Sequence, residues 1–371
     1  MNYKDDQRIV MTLDAGGTNF VFSAIRGFDQ IIEPVRLKSA GNDLEKSVSN
    51  IIDGFTQVKD QLDSQPVAIS FAFPGPSDYQ RGIIGDLVNL PAYRGGVALA
   101  ALLEKKFSLP VFINNDGNLF GLGEAIAGFK PYVNNLLKEH GCEKRYRNLI
   151  GVTLGTGFGG SVIIDNHMLI GDNSAGGEIW AIRNKIFPDM GAEESVSIRG
   201  LKMAYSVHAR IDLQDCPEPH EISAIARGEL NGDKKAAKTA FKLLGQVAGD
   251  ALASAATLVD GLIVIGGGLA KSSDLFLDTI VAELNSSFAT HYGTQIDRME
   301  LKCYNFESKN EVNKFLNCRK RDIKVPFSDQ IVSYDPEQRI CIGVTKLGTS
   351  RAISMGAYAF ALQTIDEQGI A

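Results

Sequence analysis

The sequence predicts an α/β protein of two domains, or one large fold of two lobes. Three observations carry this. The chain has 371 residues, and at roughly 150 residues per domain that is enough for two cores. Short apolar runs of strand type alternate with segments whose apolar residues recur at helical spacing. Each half also opens on a glycine-rich turn between two such runs, which hints at internal duplication.

The elements follow in order. Residues 9–13 form an apolar run that enters Asp14-Ala15-Gly16-Gly17-Thr18, and residues 20–25 alternate behind it. Strand, glycine turn, strand reads as a hairpin. Residues 31–37 predict a third strand. Asp43 is placed to N-cap a helix to about Leu62, with Leu44, Val48, Ile51, Ile52 and Phe55 on one face. A strand over 67–73 ends at Pro74-Gly75-Pro76, which cannot continue as helix. A helix over 96–107 and a strand over 111–113 come next, then a helix from Asp116 that Gly128 would close.

The polar, basic stretch 130–147 is the expected boundary between lobes, which gives residues 1–130 and 131–349, with 350–371 packing back on the first. The second half repeats the opening: strand 148–154, the turn Gly155-Thr156-Gly157-Phe158-Gly159-Gly160, strand 161–164. Helical patterns fill 195–209 and 234–259. The strand 262–265 meets Gly266-Gly267-Gly268, and a helix is expected from there to about Phe288. Residues 300–339 read as a polar, irregular insertion, and 351–362 as a closing helix.

Composition narrows the function classes. The chain is 44% hydrophobic and 22% charged with a net charge of −6, which is globular rather than disordered. That acidic balance argues against a general nucleic-acid binder. The first residues lack a signal-peptide pattern. No apolar run reaches the roughly 18–20 residues of a membrane span, since Asp250 and Asp260 interrupt the longest. Five separated cysteines form no C-x-x-C pair, which fits a reducing compartment and offers no zinc knuckle. A soluble, cytoplasmic protein without nucleic-acid or membrane partners is expected.

Two glycine turns point to phosphate chemistry. Gly155, Gly157 and Gly160 match the dinucleotide fingerprint G-x-G-x-x-G. That motif has to open a helix, and here an alternating β-branched strand follows, so a dehydrogenase is set aside. A glycine hairpin still makes a nest of backbone N–H groups that phosphate oxygens can approach closely. Asp14 adds a carboxylate able to hold Mg²⁺ directly or through water, and Thr18 a hydroxyl. Turn geometry alone would explain either hairpin taken singly. Gly266-Gly267-Gly268 suits the flat face of adenine and ribose, or a close packing turn.

Asn114-Asn115-Asp116-Gly117-Asn118 follows a strand and opens a helix, where ligands gather in open α/β sheets. Asp116 is either a helix N-cap or a general base for a hydroxyl nucleophile, and the helix dipole would keep it ionised. Glu178, two residues before the only tryptophan, and the pair Glu193-Glu194 are carboxylates suited to polyol hydroxyls or to helix N-termini. Trp180 either lines a pocket or fills core. No G-x-S-x-G or H-E-x-x-H motif is present.

Taken together and in order, LDAGGTNF (13–20), PGP (74–76), NLPAYRG (89–95), NNDGN (114–118), GVTLGTGFGG (151–160), AGGE (175–178) and VIGGGLA (264–270) resemble the ROK family of sugar kinases and repressors. The resemblance implies the two-lobed actin-like ATPase (ribonuclease H-like) fold, with ATP and Mg²⁺ between the lobes. It implies Asp116 as the base, and Gly75, Asn89, Asn115, Glu178 and Glu194 around a hexose. Asp14, Gly16, Gly17 and Thr18 would form one phosphate loop, with Asp14 toward Mg²⁺. Gly155, Thr156, Gly157, Gly159 and Gly160 would form the other, and Gly266, Gly267 and Gly268 would face adenosine. It also implies a homodimer.

The chain departs from the family at Trp180-Ala181, where many members carry Gly-His, and it lacks their zinc cysteines. Zinc is therefore expected to be absent. Only 13 residues precede Asp14, so a DNA-binding repressor is not expected. A hexokinase-type reaction at the 6-hydroxyl is the reading taken forward. A non-catalytic sugar sensor, an ATP-driven module without sugar, and polyphosphate as donor stand as alternatives.

Overall fold

The computed structural model describes residues 3–16, 18–73, 75, 77–85 and 91–370. Chain contacts divide it into two units: Met1–Gly128 with Asn166–Gly177 and Leu347–Ala371, and Phe129–Asp165 with Glu178–Lys346. Residues 166–177, expected in the second lobe, cluster with the first unit.

In the first unit, β1 (Val10–Ala15) and β2 (Asn19–Arg26) pair as the expected hairpin, with Asp14 opposite Val21. Two short strands, β3 (Asp29–Gln30) and β4 (Val35–Lys38), replace the single strand predicted over 31–37. Pro34 lies between them and has no N–H for a ladder. Helix α1 (Leu44–Asp60) begins where expected, because the Asp43 side chain accepts from the Lys46 N–H at 3.0 Å. Strand β5 (Ala68–Ala72) runs parallel to β1. A small sheet of β6 (Ser77–Asp78), β7 (Ile83–Ile84) and β8 (Val97–Ala98) follows. Gly95 and Gly96 both have φ of +92°, so helix α2 (Leu99–Phe107) starts three residues later than predicted.

Strand β9 (Val111–Asn114) lies parallel to β5, and α3 (Asp116–Ile126) leaves its carboxyl end. The main sheet therefore runs β3-β2-β1-β5-β9. One face is closed by an aromatic core in which Phe55 meets Phe22 at 5.1 Å and Phe71 at 5.8 Å between ring centres. The C-terminal helix Thr349–Gln368 and α3 pack on the opposite face, with Ala72, Leu119 and Ala357 at the contact.

The second unit starts with α4 (Phe129–Glu139). Half of the stretch expected to mark the boundary between lobes is thus helix, and Lys130 is buried with its ammonium on the Arg147 carbonyl at 2.9 Å. Gly128 does not take the left-handed cap either. A Cβ there would lie 2.2 Å from a Glu124 carboxylate oxygen, so the position needs glycine for space. The hairpin β10 (Leu149–Leu154) and β11 (Phe158–Ile164) repeats the opening of the first unit. The strand Leu262–Gly266 lies parallel to β10 as β5 does to β1, so the hint of duplication extends to topology.

Three further expectations change here. The helix after Gly268 is two pieces, a 3₁₀ segment Gly268–Leu275 kinked at Ser272 and an α-helix Leu277–Leu284. The helix predicted from Ser195 starts at Ile198, with Ser197 as its N-cap. The expected insertion holds the strand Lys302–Asn305, which forms an edge of the sheet, and ends on the strand Arg339–Val344, which lies inside it; both pair in parallel. Arg339 is fully buried, held to Asp335 at 2.8 Å and to the Phe315 carbonyl at 2.9 Å. Such a charge hides a core strand from any reading by hydrophobicity. Within residues 300–339 only the hairpin Arg321–Lys324 with Ile331–Tyr334 is exposed along its length. Cys142 and Cys318, 176 positions apart, form a disulfide that cysteine spacing does not reveal; Cys216, Cys303 and Cys341 are free and buried. Among the described residues no helix is long and apolar enough to cross a membrane.

Candidate active site

In the first unit the candidate residues sit at the carboxyl ends of β1, β5 and β9, three parallel strands. Asp14 is the next-to-last residue of β1, with Gly16 and Thr18 beyond the strand. Gly17, Asn89, Pro74 and Pro76 lie outside the described residues. Gly16 is tight, since a Cβ there would be 3.0 Å from the Asn19 carbonyl oxygen.

Asp116 occupies the first turn of α3, and Asn115 rather than Asp116 is the N-cap. Both side chains accept from the Gly117 N–H at 2.8 Å. The cap role is therefore already filled by Asn115, which leaves the second oxygen of Asp116 for other work. Asn114 is buried beneath them and accepts from the Asn115 N–H at 2.8 Å and from Asn118 at 3.1 Å. This asparagine lattice fixes where α3 begins.

The Asp116 carboxyl is open to water while dense protein surrounds it, and the net effect raises its pKa. Desolvation is the largest cause, the Gly117 N–H opposes it, and the charge of Asp14 adds to it. The helix terminus thus lowers the pKa as the sequence suggests, but burial outweighs it. Asp14 is likewise raised by desolvation, with the Arg36 guanidinium pulling the other way. Asp14 faces Val21 on β2, and Val21 faces Arg36 on β4, so the arginine reaches its partner across one intervening strand.

Tyr79 escaped the sequence reading. Its hydroxyl donates to the Phe73 carbonyl at 3.1 Å and lies 3.5 Å from the Asn115 amide nitrogen. A Cβ on Gly75 would stand 2.9 Å from that hydroxyl. Gly75 and Asn115 are therefore brought together around Tyr79, a residue outside every motif.

In the second unit the loop Gly155-Thr156-Gly157 joins β10 to β11. Among the described residues the N–H groups of Thr156 and Gly157 have no acceptor, so the loop tip carries two available donors. Gly159 has no room for a side chain, as a Cβ would meet Thr153 Oγ1 at 2.4 Å; Gly160 pairs with Val152. Gly266 ends its strand opposite Thr153. Gly267, at φ +86°, presses against Leu154, whose carbonyl oxygen would be 2.3 Å from a Cβ. Gly268 has open space where its Cβ would be. The second glycine loop and the glycine triplet are thus neighbours.

Glu178 is exposed and accepts from the Trp180 indole N–H. Trp180 is 46% exposed, so it does not fill core. Glu194 is exposed and pairs with Arg199 at 2.5 Å. Among the described residues no group of three or more His, Cys, Asp or Glu is arranged to hold a metal. Taken unit by unit, the residues fit parts of a nucleotide with Mg²⁺: the first unit offers a hard carboxylate at Asp14, and the second offers free N–H groups at its glycine loop and bare backbone at Gly268.

The ROK family profile matches residues 10–303. A crystal structure of glucokinase from Parabacteroides distasonis ATCC 8503 superposes with a TM-score of 0.88 at 49% identity, covering 98% of this chain and 99% of that one. A glucokinase of Halalkalibacterium halodurans is 28% identical over 72% of this chain and 82% of its own length. An N-acetyl-D-glucosamine kinase of Photobacterium profundum is 30% identical over 47% of this chain and 52% of its own. The fold is the two-lobed actin-like ATPase fold. With that architecture, two hairpin-bearing units and a family profile spanning most of its length, the chain belongs to the ROK family.

Proposed function

We infer that this protein is an ATP-dependent sugar kinase, which transfers the terminal phosphoryl group of ATP to a hydroxyl of a hexose or hexose derivative. The observation that carries the reading is Asp116: a carboxylate with one oxygen on the Gly117 N–H, freed from capping by Asn115, and raised in pKa. A base whose pKa is shifted toward the working pH accepts a proton more effectively than an ordinary aspartate. A sensor that only binds sugar has no use for one.

In this reading a sugar hydroxyl, glucose-like and at the 6-position, gives its proton to Asp116 as its oxygen attacks the γ-phosphorus. Asn115, Gly75, Asn89, Glu178 and Glu194 hold the remaining hydroxyls. Asp14, Gly16, Gly17 and Thr18 form one phosphate loop. Gly155, Thr156, Gly157, Gly159 and Gly160 form the second, and Gly266, Gly267 and Gly268 carry adenosine. Mg²⁺, when bound near Asp14, neutralises charge on the phosphate oxygens. Phosphoryl transfer depends mainly on positioning and electrostatics, which two N–H nests and one base supply. A homodimer in the cytoplasm is the expected working form, without zinc.

The test is ADP release with ATP–Mg²⁺ across glucose, other hexoses, N-acetylhexosamines and fructose. Sugar-dependent turnover supports the kinase and identifies its substrate. Sugar binding by thermal shift without turnover on any of them overturns it in favour of the sensor.

A further inference from the structure

The second glycine loop is held by a residue outside its motif. A carboxylate oxygen of Glu193 accepts the Phe158 N–H at 3.0 Å, at the base of the loop. The same oxygen would be 2.5 Å from a Cβ on Gly157, so the carboxylate lies flush against the loop and Gly157 is the residue that admits it. A second tie runs from the Ile198 N–H to the Gly155 carbonyl at 2.8 Å. Between these ties, Ser197 donates to the Glu193 carbonyl at 2.8 Å and accepts from the Gly200 N–H at 3.2 Å as a helix cap. The turn carrying Glu193 is therefore anchored to the Ile198–Ala209 helix, and through Glu193 that helix anchors the loop.

We propose that Glu193 is a positioning residue for nucleotide binding: it holds the Gly155-Thr156-Gly157 loop in the shape that leaves the Thr156 and Gly157 N–H groups free for phosphate. The inference rests on the kinase reading for its ligand, an ATP phosphate. It adds a residue that belongs to neither glycine motif. A loop of small residues without such a tie would have to be ordered by the ligand itself, at a cost in affinity. Glu193 also directly precedes Glu194 on one 3₁₀ turn, Ala192–Glu194. The loop tie and the candidate sugar carboxylate therefore share a single short element.

The experiment measures binding of the non-hydrolysable analogue AMPPNP with Mg²⁺ by calorimetry for the wild type, Glu193→Ala and Glu193→Gln. Glutamine keeps an oxygen that accepts the Phe158 N–H, whereas alanine loses it. The expected result is an AMPPNP Kd about 10-fold weaker in Glu193→Ala and within about 2-fold of wild type in Glu193→Gln. Unfolding midpoints check that each variant is folded. Equal or tighter AMPPNP binding by Glu193→Ala overturns the proposal, as does a loss in Glu193→Gln as large as in Glu193→Ala. The two readings separate cleanly. Absence of hexose-dependent turnover in the wild type overturns the kinase, whereas the analogue affinities judge Glu193 without any turnover.

Discussion

Gly123 on α3 lies so close to Ala352 on the C-terminal helix that a Cβ there would stand 1.9 Å from the alanine carbonyl oxygen. Gly356 meets Leu119 at the same distance from the other side. These two glycines let the helix that begins at Asp116 sit against the C-terminal helix with no side chain between them. The position of the candidate base is thus set by backbone contact some two turns away.

Gly123→Ala is therefore expected to destabilise the protein by at least about 1–3 kcal/mol, the usual cost of overpacking. The contact is backbone to backbone, so neither side can yield by changing rotamer. Chemical denaturation of the purified variant measures it. A midpoint equal to wild type would show that the helices separate at little cost.

Asp116→Asn should lower kcat by at least about 10²-fold, the smaller end of what a positioned base contributes, with AMPPNP binding retained. For the wild type, Asp116 has to be ionised to accept a proton. Its pKa is raised, so kcat/KM should climb with pH along an acid limb lying above the ordinary aspartate value of about 3.9. Steady-state rates across pH check both statements. Near-normal turnover by the variant removes Asp116 from the mechanism.

Arg36 is the group that lowers the Asp14 pKa against its desolvation. Arg36→Met should raise that pKa further, leaving more Asp14 protonated at mildly acidic pH. KM for ATP–Mg²⁺ should then rise more at pH 6 than at pH 8. An increase of the same size at both pH values would place the effect of Arg36 outside the charge of Asp14.

Lys130 is buried in α4, and desolvation lowers its pKa from 10.5 to about 8. Between those values the folded chain has released a proton that the unfolded chain retains. Stability from this group therefore rises as pH rises from about 8 toward 10.5, and its penalty is fully present below 8. Lys130→Met should flatten that slope, as seen in unfolding midpoints between pH 7.5 and 10. A parallel slope in both proteins would sink the assignment.

Cys142 and Cys318 close a long stretch of chain. Denatured but unreduced protein should carry three alkylatable thiols, Cys216, Cys303 and Cys341, rising to five after reduction, counted by mass spectrometry. Cys318→Ser should cost about 2–5 kcal/mol under oxidising conditions and little once both proteins are reduced. Five thiols without reductant would mean that the pair is held as thiols.

Much of the fold and the candidate site is legible in local sequence. The Asp43 cap, the alternation of β2, and the glycine turns at 16–18 and 155–160 are each decided within a few residues. A hairpin, a cap or an N–H nest needs only its own neighbours. The family motifs add the order in which these pieces occur.

Other features depend on partners distant in the chain. Arg339 reads as surface charge until Asp335 and the Phe315 carbonyl close around it. Gly123 reads as a weak helix residue until Ala352 arrives against it. Tyr79 and Glu193 belong to no motif, and only folding brings one beside Asn115 and the other onto the Phe158 N–H. What the sequence by itself determined was the set of turns, caps and hairpins, whose energies are local. The tertiary structure alone decided which charges are buried, which glycines are needed for space, and how far the Asp116 pKa moves, because desolvation and close contact are properties of the packed surroundings rather than of the residue.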